Sequence, residues 1–249
     1  QTYDYYPSNV VNCMFYHGSV DMGSAIMQSC NYYFADLGRQ LGIDTMYLYF
    51  EKVGLGEYTG VEVGESKGTL AGRDSYSWTA GNTVQAAIGQ SDNNFTPMQL
   101  ATYCATIANN GVRYRTHMID KITTYDRSEV VLYNDPEKPE VVEKLSVNSY
   151  NLSVVQNAMR NVVASDYGTA YYSFLDFPLE VAAKTGTAEN SGSDHCVFIC
   201  YAPFDKPEVA VAVLLEHGAK GAYAMDGPKD LLNAYFFPDE VSETTSAME

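Results

Sequence analysis

A chain of 249 residues, 46% apolar and 18% charged, is long enough for one large or two modest domains with a sizeable core. Fifteen basic against thirty-one acidic residues leave a formal charge of −16, which argues against nucleic acid or anionic lipid as a partner. No apolar run approaches the roughly 18 to 20 residues of a membrane span; the longest, Val209 to Leu215, has the length of a strand. Gln1-Thr2-Tyr3-Asp4 carries neither a basic n-region nor an apolar h-region. With no initial Met, the chain reads as a piece of something longer, with any anchor or export signal expected upstream.

Met22 to Leu41 carries a helical stripe of Ala25, Ile26, Tyr33, Phe34, Leu37 and Leu41, with room for a break in the middle. Gly54 to Gly81 is glycine-rich and irregular. Thr96, Pro97 and Gln99 spell N-cap, first helical position and capping box, and the helix they open, with Leu100, Ala101, Cys104, Ile107 and Ala108 on one face, stops at Asn110-Gly111. Met118 to Tyr125 and Val130 to Tyr133 read as a hairpin, and Asp135 to Glu143 as an exposed acidic connection. A second helix runs from about Asn148 to Ala164, with Leu152, Val155, Met159, Val162 and Val163 inward. Three strands follow, Leu179 to Ala188, His195 to Tyr201 and Val209 to Glu216. Asp226-Gly227-Pro228 then opens a closing helix with Leu231, Leu232, Tyr235 and Phe236 on its apolar side.

This order predicts an α+β fold: a helical subdomain, then an antiparallel sheet covered by a C-terminal helix. Residues 1–237 form the domain, and 238–249 a polar acidic tail expected to be disordered. Three strands alone predict an exposed sheet edge and an uncovered face, which points to missing strands. Of the five cysteines, Cys13, Cys30, Cys104, Cys196 and Cys200, none form Cys-x-x-Cys. Cys196 and Cys200 share one face of a strand and read as core; with His195 they lack the tight, loop-borne spacing of zinc ligands.

The chemistry centres on Lys184-Thr185-Gly186-Thr187, on a strand with small neighbours Ala182, Ala183 and Ala188. Small residues and a mid-strand glycine allow an extended peptide to add along the strand. Thr185 and Thr187 offer hydroxyls to a carboxylate, the Thr187 N–H can serve as an oxyanion donor, and Lys184 supplies positive charge in an acidic molecule. The partner signature of such a strand is Ser-x-x-Lys. No lysine of the chain has serine three positions before it. Of the Ser-x-Asn triplets, Ser146-Val147-Asn148 and Ser149-Tyr150-Asn151 are explained as helix caps. Ser91-Asp92-Asn93 would require a Ser-x-x-Lys inside the chain, whereas Ser29-Cys30-Asn31 places it upstream of Gln1. Positions i and i+2 of a continuous helix do not face each other, so Ser29 and Asn31 share a cleft only if the helix breaks between Gln28 and Tyr32.

With these motifs in order, the chain resembles the second half of a class B, monofunctional penicillin-binding protein transpeptidase domain. The matching stretches are His17 to Asp21 with Ser29-Cys30-Asn31, the glycines from Gly54 to Gly68, Ala87-Ile88-Gly89-Gln90, Thr96 to Ala101 with Ala108 to Gly111, Gly168-Thr169-Ala170, and Ala183 to Glu189. Ser91 departs from the glycine common after Gln90. The resemblance implies acyl transfer: a serine attacks a D-Ala-D-Ala stem peptide, expels D-alanine, and an amine resolves the acyl-enzyme. It casts Ser29 and Lys184 as proton relay, Asn31 and Gly186 as substrate contacts, Thr185 and Thr187 as carboxylate donors, and the Thr187 N–H as oxyanion donor. Implied partners are the stem peptide, β-lactams, the missing N-terminal part of the same protein and a membrane glycosyltransferase, at the extracytoplasmic face of a bacterial membrane, with no cofactor or metal. Lacking the nucleophile, this chain alone is expected to be inactive. The competing readings are a peptidoglycan or β-lactam sensor or pseudoenzyme, and a serine β-lactamase or D,D-carboxypeptidase, the last two disfavoured by the misplaced Ser-Asp-Asn.

Overall fold

A computed structural model describes residues 1–72, 78–218 and 225–238. A two-stranded ladder, β1 (Thr2–Tyr3) with β2 (Val11–Asn12), precedes helices α1 (Met22–Met27), α2 (Asn31–Leu41) and α3 (Ile43–Lys52). After the glycine-rich excursion come α4 (Asn82–Ala86) and α5 (Pro97–Ala108). Two small antiparallel ladders follow: β3 (Val112–Tyr114) with β6 (Val141–Lys144), and between them the hairpin of β4 (Lys121–Thr123) and β5 (Val130–Tyr133). The chain then forms α6 (Ser149–Ala164), α7 (Tyr171–Phe174), the antiparallel sheet of β7 (Ala182–Ala188), β8 (His195–Ala202) and β9 (Val209–Leu215), and α8 (Asp226–Phe236). The sheet order is β7-β8-β9. All of the expected tail but Pro238 lies outside the described residues.

The α+β architecture is as the sequence predicts, but the sheet is not bare on either face. In β8, Cys196, Phe198, Cys200 and Ala202 point into one core with Phe174 of α7, Val162 of α6 and Leu232 of α8. Ile199 and Tyr201 point into a second core with Ile26 of α1, Cys104 and Ile107 of α5, and Met159 of α6. A strand apolar at both parities is the mark of a sheet covered on both sides. The uncovered face is therefore a correction: α5 and α6 return to fill it. Cys196 and Cys200 are core residues, as read.

Two other expectations change. Val141 to Glu143, read as the end of an exposed connection, instead begin β6 and pair with β3, while Val141 and Val142 stay exposed as that reading had them. On α8 the buried residues are Pro228 and Leu232, with Phe236 packed beside them, while Leu231 and Tyr235 face solvent. The four-residue spacing of 228, 232 and 236 sets that face. Helix α3 has no counterpart in the sequence reading.

Helix starts and stops obey local chemistry. Thr96 Oγ1 accepts from the Gln99 N–H, and Gln99 reaches back to the Thr96 N–H, completing the capping box. Asn148 accepts from the Tyr150 N–H as cap of α6. Several helices end in one way: α1, α3, α4 and α5 each close on a left-handed residue (Ser29, Gly54, Gly89, Asn110), whose N–H and the next are bonded back three and five residues. This is the Schellman stop, where glycine is the usual left-handed residue. At α1 it is a serine.

Candidate active site

The α1 stop builds the first wall. Ser29 sits at φ 53°, its N–H bonded to the Ile26 carbonyl and the Cys30 N–H to that of Ala25. The stripe from Met22 to Leu41 is thus two helices, and the break falls between Gln28 and Tyr32 as the shared-cleft argument requires. Left-handed backbone at a residue with a Cβ costs about 1–2 kcal/mol and persists only where surrounding structure imposes it. Here the turn points Ser29 Oγ at the sheet, where it accepts a hydrogen bond from Lys184 Nζ. Asn31, first residue of α2, donates through Nδ2 to the Asn12 carbonyl at 2.9 Å.

Strand β7 builds the second wall. Lys184 Nζ also donates to the Thr185 carbonyl at 2.7 Å. Desolvation in this half-buried position lowers the Lys184 ammonium to a pKa of about 8, so a neutral amine is accessible near neutral pH. Thr185 Oγ1 lies 2.8 Å from Thr169 Oγ1. Gly186 stands opposite Val197 on β8, where an added Cβ would meet the valine Cβ at 3.4 Å. Thr187 is exposed, and its carbonyl accepts from Gln90 Nε2 at 3.3 Å.

Two glycines position these walls by close approach. A Cβ on Gly38 of α2 would lie 2.3 Å from Ala87 Cβ, so its absence lets the end of α4 pack against α2. A Cβ on Gly168 would lie 2.3 Å from the Val162 carbonyl oxygen and 2.4 Å from that of Asn161. Gly168 therefore lets the turn lie on the end of α6, where the Ala170 N–H bonds the Val162 carbonyl and Thr169 reaches Thr185. Thr169 carries no role in the sequence reading, although Gly168-Thr169-Ala170 marked its place.

The structure thus joins Ser29 to Lys184 and sets Thr185, Gly186 and Thr187 along one strand. Asn31 lies one turn from Ser29 but holds β2. Ser91-Asp92-Asn93 does another job: Asn93 accepts from the Ala71 N–H and donates to the Ala86 carbonyl, and the Asp92 carbonyl accepts from Thr69 Oγ1. It staples the glycine-rich excursion to α4.

One group with metal-binding chemistry was missed. Cys13 Sγ, a His17 ring nitrogen and Cys30 Sγ all lie within 4.8 Å of one another, and His17 Nδ1 is buried without a hydrogen-bond partner. The sulfurs are 3.8 Å apart, and Cys13 Sγ accepts from the Tyr32 N–H at 3.2 Å. Burial pushes the Cys30 thiol up, so binding a cation here would release protons. Two thiolates and an imidazole suit a zinc-type ion, which would need a fourth ligand. The gaps of four and thirteen residues fit no short metal motif.

Comparison with known proteins places this geometry. The model of the penicillin-binding protein transpeptidase domain matches residues 1–233. The chain belongs to the family of penicillin-binding protein transpeptidase domains, in the class B group. Peptidoglycan D,D-transpeptidase MrdA of Acinetobacter baumannii is 32% identical over 233 residues, 84% of this chain and 33% of that protein. Penicillin-binding protein 2B of Streptococcus pneumoniae superposes with a TM-score of 0.79 at 26% identity, covering 94% of this chain and 42% of that one. A complex between penicillin-binding protein PBP2 and MreC of Helicobacter pylori gives 0.71 at 27% identity, over 88% and 41%. The chain spans about a third of the length of the MrdA proteins it matches. Among the described residues no helix is long and apolar enough to cross a membrane.

Proposed function

We propose that this chain is the C-terminal part of a peptidoglycan D,D-transpeptidase, and that Ser29, Lys184, Thr185 and Thr187 form one side of its acyl-transfer cleft. The observation that carries the reading is the hydrogen bond from Lys184 Nζ to Ser29 Oγ, which joins two motifs 155 residues apart. A lysine kept partly neutral by desolvation, in contact with a serine hydroxyl, is equipped to pass a proton to and from a nucleophile on the facing wall. Thr185 and Thr187 line the strand beside it with hydroxyl donors for a terminal carboxylate, and the Thr187 N–H is the oxyanion donor. Gly186 and Asn31 contact the substrate peptide, Asn31 after releasing the Asn12 carbonyl. The nucleophile is supplied by a Ser-x-x-Lys segment outside this chain. The family resemblance implies that the whole protein works at the outer face of a bacterial cytoplasmic membrane, in company with a glycosyltransferase.

The test is the rate of acylation of the parent protein by a fluorescent penicillin. Ser29→Ala and Lys184→Ala are each expected to slow labelling about 10²- to 10⁴-fold, the range of general acid–base catalysis. Labelling of both variants at the wild-type rate would sink the assignment. A parent protein that binds penicillin without forming an adduct would favour the sensor reading.

A further inference from the structure

The free edge of β7 is already occupied by a side chain of this molecule. Residues i and i+2 of a strand direct their peptide groups to the same edge. The Thr185 carbonyl accepts from Lys184 Nζ, and the Thr187 carbonyl accepts from Gln90 Nε2. Both bonds come from side chains, and β7 is the end strand of its sheet, so these carbonyls face away from β8. A peptide adding to β7 as an extra strand needs those groups for its own N–H donors. Gln90 holds one of them.

The backbone presents Gln90 to this position by construction. It follows Gly89, the left-handed stop of α4 at φ 82°, and its N–H is bonded to the Gln85 carbonyl at 3.0 Å. Ser91, the next residue, is also left-handed at φ 66°. Asn93 ties the far side of the turn to the Ala86 carbonyl, and Gly38 seats the end of α4 against α2. Between these two left-handed residues, Gln90 sends its side-chain amide to a strand 97 residues away. A carbonyl can only accept, so the contact is a donation from Nε2.

We infer that Gln90 is a placeholder for the substrate strand: its side-chain amide caps the Thr187 carbonyl and must leave before an acyl donor's own amide N–H can pair there. The inference rests on the transpeptidase reading and adds to it a residue that sets the accessibility of the β7 edge. Gln90 is thereby a specificity-determining residue. It opposes ligands that use the Thr187 carbonyl and ignores those that do not.

The test compares two β-lactams on the parent protein: a penicillin, whose exocyclic amide can donate to the strand, and a carbapenem, which has no exocyclic amide. Gln90→Leu and Gln90→Ala remove the donor. Each is expected to raise the second-order acylation rate of the penicillin about two- to tenfold, the range of one net hydrogen bond, and to leave the carbapenem rate unchanged. A penicillin rate that is unchanged or lower in both variants overturns the inference, as does an equal rise for both drugs, which would mark a general loosening. If neither variant folds, the side-chain amide resonance of Gln90 in the wild-type protein decides. Its shift on saturation with penicillin but not carbapenem supports displacement, and no shift with either overturns it. Failure of the wild-type protein to be acylated at all would instead defeat the transpeptidase reading, so the two failures are distinct.

Discussion

At the residue scale, Lys184 carries an electrostatic signature that can be tested on its own. Desolvation lowers its pKa from 10.5 to about 8. Between those values the unfolded chain binds more protons at this site than the folded one, so folding is opposed below about pH 8 and that penalty is relieved as pH rises toward 10.5. Lys184→Met removes the term. The stability difference between variant and wild type, read from denaturant melts at matched pH, should favour the variant most at pH 7 and narrow steadily to pH 10.5. A difference flat across that window would mean that Lys184 keeps its ordinary pKa. Ser29 shows the complementary economy: its left-handed turn, natural to glycine, is spent on a hydroxyl that glycine lacks.

At the element scale, fully buried Gln99 joins α5 to the glycine-rich excursion. Its Nε2 donates to the carbonyls of Glu57 and Lys67, each at 2.7 Å, while its Oε1 accepts from the Thr96 N–H. Gln99→Leu strands two carbonyls and an N–H, and at roughly 1–3 kcal/mol for each group left unsatisfied should cost at least about 2 kcal/mol of unfolding free energy. A midpoint unchanged in urea would refute that. Gly168→Ala drives a methyl into the Val162 carbonyl at 2.3 Å, so the turn must lift from α6. We expect a loss of about 1–3 kcal/mol, with acylation of the parent protein slowed because Thr169 leaves Thr185. Wild-type stability in that variant would mean the turn adapts freely.

The same elements show what the sequence made legible. The start of α5 could be read residue by residue, because capping is local chemistry between Thr96 and Gln99. The break at Ser29 could be stated only as a condition, since nothing local marks a serine as left-handed. The two Gln99 bonds to the excursion, the pairing of β6 with β3 and the Cys13–His17–Cys30 group depend on which distant backbone arrives beside each residue. No periodicity encodes that. The strand Lys184 to Thr187 was found from its residue types, but its link to Ser29 rather than Ser91 needed the absence of Ser-x-x-Lys as a clue, and Gln90 and Thr169 gave no chemical signal of their own.

At the scale of the whole molecule, no Ser-x-x-Lys occurs among the 249 residues, so the cleft proposed above has no acylating serine of that motif within this chain. The chain alone, incubated with penicillin, is expected to show only its unmodified mass, whereas stoichiometric addition of one β-lactam mass would require a nucleophile among its own serines. Two cores pack on opposite faces of the one sheet that carries Lys184 to Thr187. The chain carries a net charge of −16, a long-range field that favours cationic over anionic partners.

The bond from Lys184 to Ser29 also has a kinetic consequence. It closes a loop of 155 residues, and ring closure on that scale costs chain entropy of about 4–5 kcal/mol before the contact returns anything. Local structure such as α5 or the β8–β9 hairpin pays far less and can form first. The Lys184–Ser29 pair should therefore be among the last contacts made on refolding and among the first broken by partial unfolding. In such a protein the appearance of that contact reports completion of the fold.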